Sequence, residues 1–90
     1  MSQYRFKMLT PQGTLMDEDV VSVVAPGEAG HFGVLANHAP LIATLASGDL
    51  RVTTETGDRW YKVEGGIFRV AKNSAVLLSE SIKESQTPAE

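Results

Sequence analysis

Short segments in which apolar and polar residues alternate recur along this chain, and turn-forming residues separate them. Alternation with a period of two residues is typical of a half-buried β-strand, and turns at intervals of about 8–12 residues are typical of sandwiches and barrels. We find no helical period. The pattern therefore predicts an all-β protein, with strands at Tyr4–Met8, Val20–Val24, Gly48–Thr53, Arg59–Val63, Ile67–Val70 and Ala75–Leu78.

Composition limits the classes of function that this domain can have. The 90 residues suffice for one domain, and the net charge of −3 without a Lys/Arg cluster gives no support for nucleic-acid binding. Cysteine is absent from the sequence, which excludes disulfides, zinc–thiolate sites and thiol nucleophiles. No apolar run is long enough to act as a signal peptide or to insert into a membrane. The simplest compartment is the cytosol.

The stretch Ala25–Leu45 lacks the alternation of its neighbours. It holds three of the eight glycines, two of the four prolines and both histidines. Glycine adopts positive φ readily, and Pro40 disfavours a helix through Ala39. We therefore expect an irregular loop that carries the recognition surface, with at most a helical turn around Ala39–Leu45.

None of the motifs in this loop matches a known catalytic or cofactor pattern. The glycines at 27, 30 and 33 do not have the spacing of nucleotide-binding loops, and no amphipathic helix follows them. His31 and His38 lack a third ligand for zinc, and no serine lies in a nucleophile elbow. We expect no metal and no cofactor, and we interpret His38 as a structural or interface residue.

The three consecutive acids Asp17, Glu18 and Asp19 interrupt an otherwise apolar segment. Catalysis by paired carboxylates requires them to converge on one cleft, and adjacent residues of a strand point to opposite faces. We expect a bulge or an exposed sheet edge here, which would discourage aggregation.

Alternation also assigns faces to the last strands. If the core side holds Tyr61, Val63, Phe68, Val70, Val76 and Leu78, then the residues that point outward are Trp60, Ile67 and Leu77. Two interpretations remain open for these three: a binding patch, or packing beneath loops or the second sheet.

Three blocks of this sequence resemble a known family. They are G-E-A-G-H-F-G-V-L-A-N-H-A-P-L at Gly27–Leu41, L-A-S-G-D-L-R-V at Leu45–Val52 and E-G-G-I-F-R-V at Glu64–Val70. In this order they resemble the epsilon subunit of bacterial F-type ATP synthases, over nearly the whole chain.

The resemblance implies a flattened two-sheet β-sandwich of about ten short strands. We expect it to span residues 1–82, followed by a polar tail at 83–90. It also implies a non-catalytic rotor subunit in the central stalk that binds the gamma subunit and the c-ring. Such a subunit couples proton-driven rotation to ATP synthesis, as a peripheral part of the complex on the cytoplasmic side of the bacterial inner membrane.

Individual residues follow from the same resemblance. The c-ring-facing loop is Glu28, Ala29, Gly30 and His31, and the gamma-facing positions are His38, Ala39, Pro40, Leu41, Ile42 and Ala43. Many relatives carry an acid where this chain has His31. A ring contact that requires negative charge there would then depend on Glu28.

Family members of usual length continue into a C-terminal helical hairpin that inhibits ATP hydrolysis and, in some, binds ATP. Because the residues up to Glu90 show no amphipathic period, we expect neither hairpin-mediated inhibition nor ATP binding in this chain. The alternative to a rotor subunit is a stand-alone β-sandwich that binds a ligand, such as a carbohydrate, through the histidine loop.

Overall fold

The computed structural model describes residues 2–85, which form β-strands joined by short turns. No helix in this part of the chain is long and apolar enough to cross a bilayer. All the regular elements of residues 2–85 are β-strands, which confirms the all-β prediction. The strands are β1 (Tyr4–Thr10), β2 (Gly13–Val20), β3 (Ser22–Gly27), β4 (Gly30–Leu35), β5 (Leu41–Thr54), β6 (Gly57–Ala71), β7 (Ser74–Leu78) and β8 (Ile82–Ser85).

The eight strands form one folded sheet, and its two longest strands, β5 and β6, run through both layers. β5 and β6 pair along their whole length, from Leu41 opposite Val70 to Thr54 opposite Gly57. The strand order is β2-β1-β7-β6-β5-β3-β4, and β8 pairs with the other half of β6. Because β5 and β6 each contribute one half to either layer, the eight strands supply ten segments, five in each layer. This arrangement is the predicted two-sheet sandwich.

The first layer contains β2, β1, β7 and the adjoining halves of β6 and β5. The second contains β8, the remaining halves of β6 and β5, and then β3 and β4. The Cα atoms extend 29 × 27 × 26 Å, so the sandwich is less flat than expected.

A glycine pair allows β6 to pass from one layer to the other. Gly65 and Gly66 have φ of 71° and 128°, in the region that favours glycine. The inward-facing residues change from odd to even numbers across this pair: Tyr61 and Val63 precede it, Phe68 follows it, and all three are buried. The inward faces predicted for these residues are confirmed, but the two separate strands predicted at Arg59–Val63 and Ile67–Val70 are one continuous strand that bends at the two glycines.

The two layers meet through an aromatic contact and one buried hydrogen bond. Within the first layer the ring of Phe68 lies 5.9 Å from that of Phe6, and across the layers it meets the ring of Phe32, in β4, edge-on at 5.4 Å. The hydroxyl of Tyr4, in β1, donates a hydrogen bond of 2.8 Å to the carbonyl oxygen of Val34, in β4. These contacts hold β4 and the hairpin that contains it against the first layer.

The predicted irregular loop at Ala25–Leu45 is wrong. β3 and β4 form a regular antiparallel hairpin within it, and β5 begins at Leu41, so the helical turn expected around Ala39–Leu45 is also wrong. The alternation was present but weak, because glycines and prolines occupy several strand positions. β4 pairs with β3, and the start of β5 pairs with β6; these backbone hydrogen bonds join residues distant in sequence, so the local pattern does not indicate them.

The faces predicted for β7 are also wrong, because Ala75 and Leu77 are buried whereas Leu78 is 48% exposed. The turn before β7 explains the difference. Lys72 and Asn73 both have positive φ, and this two-residue turn places Leu77 opposite Phe68. Directly opposite residues share a face, so Leu77 joins Phe68 in the core.

The acidic segment lies on an edge strand, as predicted. Its three acids are exposed on β2, and the guanidinium of Arg5 lies 2.9 Å from Asp17 and 3.3 Å from Asp19. At the other end of the chain, β8 continues to Ser85, past the predicted start of the tail at residue 83. Residues 86–90 lie outside the described part of the chain.

The bend in β6 predicts a difference between two glycine-to-alanine substitutions. Gly66 and Gly57 have nearly equal φ of 128° and 131°, but a Cβ at Gly66 would overlap the Leu78 carbonyl oxygen, whereas a Cβ at Gly57 meets nothing within 4 Å. Gly57→Ala should therefore cost only backbone strain, about 1–3 kcal/mol of unfolding free energy. Gly66→Ala should cost more than about 4 kcal/mol or prevent folding. Urea denaturation measures both, and equal losses would contradict the proposed bend.

The bond between Tyr4 and Val34 predicts that Tyr4→Phe lowers the unfolding free energy by about 1–3 kcal/mol, because a buried carbonyl loses its partner. Tyr61→Phe is the matched control, since the Tyr61 hydroxyl makes no hydrogen bond to any residue in 2–85; it should cost less than about 1 kcal/mol. Similar losses in both variants would show that the bond does not hold the layers together.

Burial also raises the pKa of Tyr4, so the folded state holds this proton more tightly than the unfolded chain does. The contribution to stability is complete below about pH 10 and falls as the pH rises above that value. Unfolding measured at pH 9 and 11 should show a steeper loss for the unaltered chain than for Tyr4→Phe.

Candidate functional site

The predicted c-ring-facing residues form the tip of the β3–β4 hairpin. Gly27 and Gly30 pair across a two-residue loop of Glu28 and Ala29, and Gly30 takes a φ of 130°. A Cβ at Gly27 would lie 2.8 Å from the Gly30 carbonyl oxygen and 3.0 Å from the ring of Phe32. Glycine at position 27 therefore keeps the loop tight, and the four tip residues from Glu28 to His31 are all exposed.

One backbone hydrogen bond fastens this tip to β5. The Glu28 N–H donates to the carbonyl oxygen of Thr44 at 3.0 Å. The tip therefore does not project as a free loop but lies against the strand that begins at Leu41.

The predicted gamma-facing segment begins in the connection between β4 and β5. Asn37 has a φ of 65°, and its N–H donates to the Asn73 side-chain oxygen at 2.6 Å, which ties this connection to the β6–β7 turn. The His38 N–H donates to the Leu35 carbonyl oxygen at 3.3 Å. The Nδ1 of His38 lies 2.7 Å from the Ala39 carbonyl oxygen, and it must be the donor because a carbonyl only accepts.

Of the remaining predicted positions, Ala39 and Pro40 are exposed, and Leu41, Ile42 and Ala43 begin β5. Their side chains alternate. Leu41 and Ala43 are half-buried, whereas Ile42 is 73% exposed, the largest exposed fraction among the exposed large apolar residues of the described chain.

The structure brings the two predicted groups together around one open groove of about 640 Å³. The groove is lined by the hairpin tip, by Phe32 and Gly33 of β4, and by His38 and the start of β5. The groove carries one carboxylate, Glu28, and two imidazoles, His31 and His38. Within residues 2–85, no three His, Cys, Asp or Glu side chains are grouped closely enough to hold a metal ion.

A second feature is an apolar patch on the outer face of the first layer, which we call the outer patch. It consists of Ile42, Ile67 and Leu78, which are 73%, 49% and 48% exposed. Ile67 lies directly opposite Leu78 on β7, and Ile42 lies opposite Arg69 on β6. Because Thr44 lies opposite Ile67, Ile42 is the diagonal neighbour of Ile67, and the three apolar side chains share one face of three neighbouring strands.

The outer patch differs in part from the outward-facing set expected from sequence. Ile67 was assigned correctly, Leu77 is buried, and Leu78 takes its place. Trp60 is half-buried on the second layer, where the Arg51 guanidinium lies 5.7 Å from the centre of its ring. The signal that could have identified Leu78 is the Lys72-Asn73 turn, which fixes the register of β7, but this dipeptide lacks the glycine typical of such turns.

Two cations accompany the outer patch. Lys7, Val76 and Arg69 are aligned across β1, β7 and β6. Neither Lys7 nor Arg69 forms an ion pair with another residue of the described chain. Asp17 lies directly opposite Lys7 on β2, so among residues 2–85 Arg69 is the cation beside the outer patch that has no facing carboxylate.

Comparison with known proteins gives the same family from a family model and from individual relatives. Residues 3–85 match the family described as the ATP synthase delta/epsilon chain, β-sandwich domain. The ATP synthase epsilon chain of Chlorobium limicola is 38% identical over 80 residues, which cover 88% of this chain and 91% of that protein. The epsilon chain of Bartonella henselae is 33% identical over 82 residues, which cover 91% of this chain but only 59% of that protein.

Solved structures show the same fold. A chain in the cryo-EM structure of the Euglena gracilis mitochondrial ATP synthase, containing OSCP, F1 and the c-ring, superimposes with a TM-score of 0.87 at 23% identity. The match covers 93% of this chain and 54% of that one. From the match over residues 3–85 and the identity to curated epsilon chains, this chain belongs to the family of ATP synthase delta/epsilon chains, in its β-sandwich domain.

Proposed function

We propose that this chain is a non-catalytic subunit of the central stalk of an F-type ATP synthase, where it binds the gamma subunit and the c-ring and couples proton-driven rotation to ATP synthesis. The observation that carries the proposal is the bond between Glu28 and Thr44. It joins an exposed polar tip to the strand that also presents Ile42. The surface proposed for the c-ring and the surface proposed for the gamma subunit are thereby both attached to β5.

The gamma-facing surface comprises His38, Ala39, Pro40, Leu41, Ile42 and Ala43. Ile42 belongs both to this segment and to the outer patch, so we extend the surface to Ile67 and Leu78. Apolar residues grouped in the middle of an interface supply much of its binding energy. The charge of Arg69, which faces Ile42 and Val76 and no carboxylate of the described chain, favours a partner with a carboxylate beside an apolar centre.

The c-ring-facing surface is the hairpin tip, Glu28 to His31. The tip is exposed and made of small and polar residues, which suits contact with the polar loops of a membrane-embedded ring. Glu28 is its only acid, so any attraction to cations of the ring depends on this carboxylate.

The sheet makes the domain suitable for transmitting torque. β5 and β6 are joined by an antiparallel ladder that keeps the same register on both sides of the unpaired Ala46 and Gly65, so a force on the tip passes through hydrogen bonds to the outer patch. Such a role requires stiffness and no reacting group. In this proposal the domain lies at the foot of the stalk, on the cytoplasmic side of the bacterial inner membrane.

Reconstitution tests the proposal directly. ATP synthase assembled without its epsilon subunit should regain proton-driven ATP synthesis when the purified chain is added, and the chain should copurify with the gamma subunit. Assembly that couples equally well without the chain, or a chain that fails to bind the gamma subunit, would contradict the proposed function. Retention on immobilised glycans instead would support the alternative of a stand-alone ligand-binding module.

Charge reversal tests the c-ring contact. Glu28→Lys should weaken attachment of the chain–gamma complex to isolated c-rings by about tenfold at low salt, with a smaller effect at high salt, because screening reduces surface electrostatics. Glu55→Lys is the matched control, since Glu55 is also exposed in a two-residue turn, between β5 and β6, and the change of charge is identical. Equal effects of the two substitutions, or none, would rule out a contact specific to the tip.

A further inference from the structure

We propose that an extended segment of the gamma subunit pairs as an additional strand with the free edge of β5 at Leu41–Thr44. This inference rests on the proposed function, because it takes the gamma subunit as the partner. It specifies how the two chains are joined: by backbone hydrogen bonds as well as by side chains.

The first argument concerns the direction of backbone groups in β5. A strand residue directs its N–H and C=O to the same side, and residues two apart share that side. The Thr44 carbonyl oxygen accepts from Glu28, so it points away from β6 and towards the second layer. The N–H and C=O of Ile42 must then point away from β6 as well.

No strand of the described chain occupies that side of Ile42. β3 pairs with β5 at Arg51, Val52 and Thr53 and again at Leu45, but its pairing does not reach Ile42. The first layer therefore ends at this part of β5, which leaves one donor and one acceptor available at its edge. Open edges of this kind are templates for another strand, and native proteins normally cover or block them.

The surroundings define what kind of strand fits. On the inner side, the groove of about 640 Å³ lies beside the edge and is lined by Phe32, Leu41 and Ala43, which suits an apolar side chain. On the outer side, Ile42 lies opposite Arg69, whose guanidinium has no carboxylate partner within residues 2–85. Successive residues of the added strand would alternate between these two environments.

The occupant is thus a segment of the gamma subunit with an apolar residue directed inward and an acidic residue directed outward, near Arg69. Pairing is limited to a few residues, because Pro40 has no N–H to donate at one end and the hairpin tip already bonds to Thr44 at the other. Such a short pairing fixes register and orientation, and the outer patch supplies apolar contact area beside it.

Two substitutions of Ile42 separate the contribution of its backbone N–H to binding from that of its side chain. Ile42→Ala removes the exposed side chain but keeps the N–H, whereas Ile42→Pro removes both without breaking a bond to β6. We expect Ile42→Pro to weaken binding to purified gamma subunit about tenfold more than Ile42→Ala, the effect of losing one interfacial hydrogen bond. Calorimetric titration measures both affinities, and thermal unfolding checks that each variant is folded. Equal affinities of the two variants would overturn the strand pairing while leaving the proposed function intact.

Hydrogen exchange in the unaltered chain gives an independent test that needs no variant. On adding gamma subunit, the Ile42 amide should become at least about tenfold more protected, because it gains an acceptor. The Ala43 amide, which is directed towards β6, is the internal control and should change little. An Ile42 amide that exchanges equally fast in the complex would overturn the inference. A chain that does not bind the gamma subunit at all would overturn the proposed function and this inference with it.

Discussion

The pairing of β5 with β6 is the constraint on which the rest of this structure depends. The two strands remain in register from one layer to the other, and both change which residues face inward as they pass the bend. The change is possible because Gly65 and Gly66 take φ values that other residues rarely adopt. Without a bend at this point, the inward-facing Tyr61 and Phe68 would lie on opposite faces of one sheet, and the sandwich could not close around a single core.

The same pairing determines where the candidate site lies. Because β5 belongs to both layers, its first residues form an edge of one layer while the hairpin of the other bonds to Thr44. The hairpin tip, the groove and the outer patch are therefore neighbours, although their residues come from several separate parts of the sequence. A rotor subunit that contacts two partners at once would benefit from this arrangement, since neither contact depends on a mobile loop.

Much of the architecture could be predicted from the sequence, because alternation is a local signal. The strand class, the acidic edge at Asp17–Asp19 and the buried faces of Tyr61, Val63, Phe68 and Val70 follow from it. The features that could not be predicted depend on strand pairing between residues that are distant in sequence. Pairing with β3 makes β4 a strand although it contains two glycines, and the register set by Lys72 and Asn73 buries Leu77. For the site, family resemblance supplied the residues, and only the fold brings Glu28 and His38 to one groove and reveals the free edge at Ile42.

The central claim is that this domain turns as one rigid body with the gamma subunit and the c-ring. The chain contains no cysteine, so single cysteines placed at His31 and Ile42 can be cross-linked selectively to cysteines in the c subunit and the gamma subunit of a reconstituted ATP synthase. The most direct measurement is the rate of proton-driven ATP synthesis before and after both cross-links form. Our account predicts an unchanged rate, because parts that rotate together can be joined without cost. A rate that collapses on cross-linking and recovers on reduction would show that the domain moves relative to one of these partners, and would contradict the account.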